Sequence, residues 1–267
     1  MALTQAIELI RSSIVQICLF QAQGSRRIMS IPLGTGFILN KEGVVITANH
    51  IIQTGQQIMR DQGLKFTAGL AIPNTENMRG NFILTELEVI DQDERHDLAI
   101  LKLRKNPFKG ELRSGIMINN KEIPFLYGIA TLNPMRPNDG AAIGISGYPL
   151  GQPVLVTNAG YMATTWSFEK TPSAVPIPGT EQWFHKIEVD DCYFADVEVN
   201  PGNSGGPVYL IENAKVIGIC VGSILTPISD RMGQPINGLS YSSGLTKVVP
   251  VRYAINLLQR HSYSWSG

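Results

Sequence analysis

The stretch NPGNSGGPV, Asn200–Val208, decides how the rest of this sequence is interpreted. A serine, Ser204, stands here among three glycines, Gly202, Gly205 and Gly206. Glycine allows φ > 0 and a close approach of another backbone, so the Ser204 hydroxyl can project from a tight turn toward a carbonyl group. A glycine-rich turn between two strands is the alternative interpretation. Because a lone serine hydroxyl is a weak nucleophile near neutral pH, a nucleophilic role also requires a base elsewhere in the chain.

The base is sought among four histidines, His50, His96, His185 and His261. His50 ends the run GVVITANH, in which a β-branched strand stops at a polar Asn-His step. An imidazole at a strand end is well placed for a site, whereas a lone histidine is more often structural. The downstream serine motif and the upstream GTGF favour His50 as the base, while His185 is interpreted as a strand-face residue and His261 lies in a polar tail.

A carboxylate that orients the base is predicted in HDLAILKL, His96–Leu103. Asp97 stands directly before an apolar strand, where it can fix the imidazole tautomer and stabilise the imidazolium. An ordinary charge at the start of a strand is the alternative. Asp91 and Asp93 are competing candidates, but neither is followed at once by a buried-strand pattern.

The order along the chain is His50, Asp97, Ser204, which is the chymotrypsin-type order and differs from that of subtilisins and α/β-hydrolases. With the segments GTGFILNKEGVVITANHI, HDLAILKL, GYPLGQPVLVTNAGYMA and NPGNSGGPVY, the chain resembles a chymotrypsin-fold (trypsin-like) serine protease of the HtrA (Deg) branch. The resemblance covers roughly residues 3 to 258. It implies a serine endopeptidase that hydrolyses peptide bonds through a His-Asp-Ser triad and an acyl-enzyme intermediate.

Apolar spacing at Leu3, Ile7 and Ile10, and a helical pattern over Val251–Arg260, predict short N- and C-terminal helices. The fold implied by the resemblance is all-β, with two six-stranded antiparallel β-barrels and the site in the cleft between them. Short β-branched runs separated by Gly, Asn and Pro agree with it. We expect a barrel strand over His185–Asp190 and a loop over Leu225–Gly238. The expected organisation is an N-terminal helix at 1–13, a first barrel at 14–125, a linker at 126–140, a second barrel at 141–250, and a C-terminal helix and tail at 251–267.

Substrate contacts follow from the same resemblance. The N–H groups of Gly202 and Ser204, with Asn203 between them, would form the oxyanion hole. The strand Cys220, Val221, Gly222 and Ser223 would pair with the substrate backbone, and Cys220 is interpreted as a packed residue rather than a reactive thiol.

The resemblance also implies that the residue six before the serine, here Glu198, lies at the base of the pocket for the side chain preceding the scissile bond and determines specificity. A carboxylate there would favour Arg or Lys. A slip of one residue would expose Glu198 and turn Val197 or Val199 inward, in which case small aliphatic side chains would be preferred.

Composition excludes several other classes of protein. The 267 residues are 43% hydrophobic and carry 22 basic and 22 acidic side chains, so neither intrinsic disorder nor nucleic-acid binding through a general basic surface is expected. Three cysteines without CxxC spacing, Cys18, Cys192 and Cys220, argue against a disulfide framework and a thiolate zinc site. We expect no metal and no cofactor.

The expected location and regulation depend on three features that this sequence does not show: an export signal, a membrane span and a PDZ domain. The first 20 residues have no basic start, and Glu8 and Arg11 interrupt their apolar positions. With no apolar run of about 18 residues for a membrane span, a cytoplasmic protein is expected. No residues are left for a PDZ domain of the kind common in the HtrA branch, so PDZ regulation is not expected. The oligomeric state stays open.

The segment from Trp166 to Asp191 is longer than the corresponding loop of the family, and we expect it to contact a regulatory partner besides the peptide or protein substrate. A latent, partner-activated binding or regulatory module on the same fold is the alternative function. A small-molecule esterase is disfavoured by the order of the triad.

Overall fold

The computed structural model describes residues 1–23, 27–59, 64–71, 82–112, 115–118, 121–168, 173–176, 179, 183–186 and 189–267. Strands predominate. In chain order they are β1 Ile14–Gln23, β2 Arg27–Ile38, β3 Val44–Ala48, β4 Lys65–Ala71, β5 Phe82–Asp93, β6 Leu98–Leu103, β7 Gly115–Ile118, β8 Lys121–Pro124, β9 Ala142–Gly147, β10 Val156–Thr164, β11 Ser167–Phe168, β12 Ser173–Pro176, β13 Trp183–Lys186, β14 Val189–Asp190, β15 Tyr193–Asp196, β16 Pro207–Leu210, β17 Val216–Ser229 and β18 Pro235–Pro250.

The first barrel closes in the antiparallel order β1-β2-β3-β6-β5-β4. All five residues of β3, VVITA, are buried, because this strand has apolar surroundings on both faces. Val45 points into the barrel interior with Leu101, whereas Val44 and Ile46 belong to a layer that the first barrel shares with the second. The alternation of side chains along β3 therefore places successive residues in two different cores.

The second barrel closes in the order β10-β15-β18-β17-β16-β9. Its interior is filled by residues of every one of these strands, among them Ile145, Met162, Tyr193, Val208 and Cys220. The predicted fold class of two six-stranded antiparallel barrels is therefore confirmed.

Two sequence expectations within the second half of the chain are wrong. His185–Asp190 was expected in the barrel, but Trp183–Lys186 pairs with β12 and Val189–Asp190 pairs with β11, in separate two-stranded sheets. The barrel position belongs to β15 instead, which bridges β10 and β18. Leu225–Gly238 was expected as a loop, but β17 and β18 extend through most of it as a long hairpin.

Three α-helices and two short 3-10 helices complete the described fold: α1 Leu3–Arg11, α2 Asn49–Met59 and α3 Val251–Arg260, with 3-10 turns at Pro107–Lys109 and Pro149–Gly151. The terminal pair, α1 and α3, was predicted from apolar spacing, and α2 was not. Helix α3 buries Ala254, Ile255 and Leu258 against the layer between the barrels, which fixes the end of β18 relative to the first barrel.

A cluster of charges around Asp191 holds the end of the 166–191 segment. The Asp191 carboxylate accepts hydrogen bonds from the guanidinium groups of Arg136 and Arg252 and from the hydroxyl of Tyr253. Burial opposes ionisation of Asp191, but these hydrogen bonds outweigh it and hold its pKa below the ordinary value of 3.8. The segment before β9, through Arg136, and helix α3, through Arg252 and Tyr253, are thus joined by one carboxylate.

Replacement of Asp191 should therefore destabilise the fold in a pH-dependent way. For Asp191→Asn we expect a loss of about 1–2 kcal/mol in the free energy of unfolding near pH 7, since hydrogen bonds to charged groups are worth about 1.5–3 kcal/mol and this carboxylate is partly exposed. A lowered pKa gives stability that is present above the unfolded value and is lost as the pH falls through the folded value. In urea unfolding, the difference between variant and wild type should therefore be smaller at pH 3 than at pH 7. The exposed Asp196→Asn is the control, and an equal loss at both pH values would contradict the assignment.

Candidate active site

The base and its carboxylate come together at the junction of β3, α2 and β6. His50 is the second residue of α2, and its Nδ1 lies 2.7 Å from Asp97 Oδ2. The backbone N–H of His50 donates to the other carboxylate oxygen at 2.8 Å, and Asn49 N donates to the Asp97 carbonyl at 3.0 Å. A carboxylate facing Nδ1 fixes the tautomer that leaves Nε2 free to accept a proton.

Asp97 is placed by a turn rather than by regular structure. Its φ of 53° lies in the left-handed region, which aspartate tolerates better than most residues, and β6 begins at the next residue. The competing candidates have other partners: Asp93 bonds to His96 and Asp91 to His261. Of these three carboxylates, the one expected to orient His50 is the one that contacts it.

The nucleophile candidate lies in the tight turn between Asn200 and Gly206. The turn is closed by hydrogen bonds from Asn203 N to Asn200 O at 3.0 Å and from Gly206 N to Asn203 O at 2.9 Å. Ser204 Oγ donates to the carbonyl of Val221 at 3.3 Å. Within the described ranges no hydrogen bond joins Ser204 to His50, so a continuous hydrogen-bond chain does not run through the three candidates.

Glycines are required at two positions of this turn. Gly202 has a φ of 102°, and a Cβ there would lie 2.4 Å from the Tyr148 carbonyl oxygen. At Gly205, with a φ of 83°, a Cβ would lie 2.1 Å from the Thr35 carbonyl oxygen. The turn can therefore approach both the loop after β9 and the end of β3 only without side chains at these positions.

The expected oxyanion donors are the N–H groups of Gly202 and Ser204. Neither donates to an acceptor among the residues that the structure describes, whereas the N–H groups of Asn203, Gly205 and Gly206 are all used within or beside the turn. Asn203 is fully buried, and it separates the two unused donors. Both could donate to an oxygen that develops negative charge.

Thr35 on β2 holds the serine turn against the first barrel. Its N–H donates to Ser204 O at 2.9 Å, and its hydroxyl donates to Gly202 O at 2.7 Å and accepts from Tyr148 N at 2.9 Å. The Thr35 carbonyl in turn accepts from the Thr47 hydroxyl at 2.7 Å. Sequence reasoning used the GTGF segment only as context for His50 and missed this role, because no local pattern reveals a contact with a turn some 170 residues away.

A cleft of about 260 Å³ lies beside Asp97, between the barrels. Its charged lining groups include Arg95, Asp191 and Lys247, and the strand Val221–Ile224 forms one wall. Burial lowers the pKa of Lys247, and the negative charge of Asp97 opposes that shift. Lys247 is therefore a cation of the second barrel that interacts electrostatically with the carboxylate of the first.

Cys220 was expected to pair with the substrate backbone, but the structure places its backbone groups against the serine turn. Cys220 is fully buried, burial raises its pKa to about 12, and its backbone N and O are bonded to Gly206 and Gly205. Its backbone groups are therefore not available to a substrate, and the packed interpretation of its side chain agrees with this burial. Beyond Cys220, the edge of β17 that faces away from β18 has no neighbouring strand among the described residues, and this edge begins with Val221, Gly222 and Ser223.

Glu198 lies on the exposed side of its segment, and its neighbours Val197 and Val199 are each only 5% exposed. A carboxylate in solvent needs no paired cation. The expectation of basic specificity depends on a buried carboxylate, so this placement does not support it. Thr246, also buried, donates to the Val197 carbonyl at 2.5 Å and holds this side of the segment against β18.

Comparison with known proteins identifies the family to which this site belongs. A family model described as a trypsin-like peptidase domain matches residues 34–219. The chain belongs to this family. The match spans all three triad candidates and the Thr35 contact.

The curated relatives of this trypsin-like peptidase domain are similar to it at low identity. A probable periplasmic serine endoprotease DegP-like of Chlamydia muridarum is 27% identical over 70% of this chain. One of the same description from Pseudomonas fulva is 25% identical over 91% of this chain. The chain spans only 27% and 39% of the lengths of these two relatives.

A solved structure, the HtrA-type protease AlgW with a decapeptide, superposes with a TM-score of 0.58 at 16% identity, covering 97% of this chain and 67% of that one. At this identity the likeness concerns the fold. Together with the relatives it confirms the resemblance to the HtrA type of chymotrypsin-fold protease.

The expected cytoplasmic location is wrong, because these relatives are named periplasmic proteases. Separately, no helix among the described residues is long and apolar enough to cross a membrane. The expectation of a regulatory partner at the 166–191 segment stays a prediction, since much of that segment lies outside the described residues.

The Thr35 contact gives a first test of the site. Thr35→Val keeps the side-chain volume but removes the hydroxyl, and with it the hydrogen bonds to the Gly202 carbonyl and from the Tyr148 N–H. We expect a loss of about 1–3 kcal/mol in the free energy of unfolding by urea and slower labelling of Ser204 by a fluorophosphonate probe. Thr35→Ser retains the hydroxyl and is the matched control. Equal stability and equal labelling of the valine variant and the wild type would refute the assignment.

Proposed function

We propose that this chain is a serine endopeptidase in which Ser204 attacks the scissile carbonyl, His50 takes its proton and Asp97 orients His50. His50 then returns the proton to the leaving amine, which leaves an acyl-enzyme on Ser204. Water hydrolyses that ester with His50 again as the base. The N–H groups of Gly202 and Ser204 stabilise the oxyanion in both steps.

The observation that carries the proposal is the double hydrogen bond of Asp97 to His50. One carboxylate oxygen meets Nδ1 and the other meets the backbone N–H of the same residue, so the ring is fixed in tautomer and in orientation. The side chains are 40% and 34% exposed, which leaves the imidazole accessible to a substrate. An ordinary surface ion pair would have neither constraint.

Substrate would bind to the part of β17 that lies beyond its pairing with β16. Strand β16 pairs with β17 as far as Ile219, and the Cys220 backbone is occupied by the serine turn. From Val221 onward the edge is open, and a Cβ on Gly222 would contact nothing within 4 Å. An extended peptide can add to such an edge through main-chain hydrogen bonds. Val221, Gly222 and Ser223 are therefore the proposed backbone contacts.

A partner-activated, latent module is the second candidate, and one observation favours it. Ser204 Oγ is bonded to the Val221 carbonyl at 3.3 Å rather than to His50, so the hydroxyl must rotate before His50 can accept its proton. A fluorophosphonate probe separates the two candidates. Labelling of Ser204 in the native protein alone supports a constitutive enzyme, and labelling of native protein only after a partner is added supports latency.

The triad makes the first functional prediction. Ser204→Ala, His50→Ala and Asp97→Asn should each lower the rate of casein cleavage by about 10³-fold or more while the chain stays folded, and double variants should be little slower than single ones, because the three residues act as a unit. The control is His261→Ala, which removes a histidine bonded to Asp91 outside the site. Cleavage by Ser204→Ala at the wild-type rate would disprove the assignment.

Activation makes the second prediction. Digestive chymotrypsin-like enzymes mature when a new N-terminal ammonium pairs with an aspartate before the serine, whereas the residue here is the uncharged, fully buried Asn203. We expect the 267-residue chain to label without N-terminal trimming, as measured by the intact mass of probe-labelled protein. The Asn203→Asp variant should have a lower free energy of unfolding, since the substitution buries a carboxylate without adding a cation to pair with it. A label found only on a shortened chain would overturn the expectation.

A further inference from the structure

The hairpin of β17 and β18 projects beyond the second barrel. We define the arm as residues Leu225–Ser242, the outer parts of these two strands with their turn. Strand β16 leaves β17 at Ile219, and β15 pairs with β18 only from Leu245 to Val248. Within the described chain, both outer edges of the arm therefore have no neighbouring strand.

The surface of the arm is apolar. It carries six of the large hydrophobic side chains that are exposed, namely Leu225, Ile228, Met232, Ile236, Leu239 and Tyr241, with exposed fractions from 38% to 82%. Its only charged residues, Asp230 and Arg231, lie at the turn. Edge strands of soluble proteins usually carry charges that prevent association. This composition instead suits a surface that is covered during function.

The arm is nonetheless an ordered hairpin. Asp230 Oδ1 accepts from Met232 N at 2.8 Å and from Gln234 N at 2.9 Å, and Asp230 N donates to the Gln234 carbonyl at 2.8 Å. The strands then pair from Ser229–Pro235 back to Leu225–Ser242. A two-stranded ribbon is marginally stable alone, so binding of a polypeptide segment to its apolar surface would stabilise it.

The arm continues the proposed substrate strand without a break. Val221 O contacts Ser204 Oγ, and the same strand runs on to Ser229. At a rise of about 3.3 Å per residue, Leu225 lies roughly 13 Å and Ser229 roughly 26 Å along the strand from Val221. A peptide antiparallel to β17 would thus bring its residues roughly five to nine positions before the scissile bond to the arm.

Recognition along the arm must rely on side chains. Pro227 has no N–H, so a continuous hydrogen-bond ladder cannot extend past it, which also limits uncontrolled strand addition. Thr226 is paired with Tyr241 and so shares its face, as does Leu239 two residues earlier on β18. Leu225 lies on the opposite face. Leu239 and Tyr241 thus form an apolar patch on one face of the hairpin.

We propose that the arm is an extended substrate-binding surface, which takes an apolar segment of the polypeptide on the N-terminal side of the scissile bond. This inference rests on the proposed endopeptidase function and on the continuity of the arm with Val221–Ser223. It assigns a role to residues that are remote from the triad.

Binding to a catalytically silent protein tests the inference without turnover. In the Ser204→Ala background, we would measure by fluorescence anisotropy the Kd of a peptide of roughly twelve residues with Leu and Phe five to nine positions before the cut, and of one of roughly four residues. The long peptide should bind about tenfold more tightly, equivalent to about 1.4 kcal/mol. Adding Ile228→Ser, Leu239→Ser and Tyr241→Ser, all on one face of the hairpin, should abolish that advantage, and Met232→Ser at the turn should retain it.

The outcomes distinguish a failure of the arm inference from a failure of the proposed endopeptidase function. If the long peptide has no advantage, or retains it in the triple variant, the arm inference is wrong even where native protein labels with fluorophosphonate and cleaves the short peptide. If native protein neither labels nor cleaves, the proposed function fails independently of the binding data. Should the triple variant not fold, Tyr241→Ser alone with an unchanged unfolding midpoint replaces it. If the three serine substitutions change the sedimentation coefficient of the peptide-free protein but leave its peptide affinity unchanged, the arm contacts a second copy of the chain. That result would overturn the inference.

Discussion

The arrangement of the site depends on one contact between the barrels, at Thr35. Every hydrogen-bonding group of this residue is used: the N–H on Ser204, the hydroxyl on Gly202 and Tyr148, and the carbonyl on Thr47. His50 and Asp97 belong to the first barrel and Ser204 to the second, so their separation is set by how the barrels meet. Because Gly205 has no side chain, the serine turn can lie against the end of β3, two residues before His50.

Much of this architecture could be predicted from local sequence. Continuous apolar runs such as VVITA and LAILKL mark strands that are buried on both faces, and the segments around His50, Asp97 and Ser204 mark the candidate site. The predictions failed where pairing between distant segments decides the outcome. Gly233, Gly238 and two prolines indicated a loop over Leu225–Gly238, but the mutual pairing of β17 and β18 keeps it extended. Helix α2 was missed because its polar residues, QTGQQ, conceal the apolar spacing of Ile51 and Ile52.

The site shows the same limit at the level of single residues. Glu198 could not be assigned to a face from sequence, because a shift of one position exchanges the two faces of an extended segment. Burial of Val197 and Val199 resolves the choice by placing the carboxylate in solvent. Thr35 was beyond prediction for a different reason. Its partners lie in the second barrel, and nothing in GTGF itself specifies which turn its hydroxyl will meet.

Two carboxylates line the same cleft and are stabilised by different means. Asp191 is surrounded by two guanidinium groups and a tyrosine hydroxyl, which fix the end of the 166–191 segment. Asp97 meets an imidazole and a backbone N–H directly, with Lys247 as a cation of the facing barrel. A guanidinium holds its charge at all relevant pH values, whereas an imidazole can gain and lose a proton near neutrality. The partners therefore suit Asp191 to a structural role and leave Asp97 beside the imidazole that is the base of the proposed mechanism.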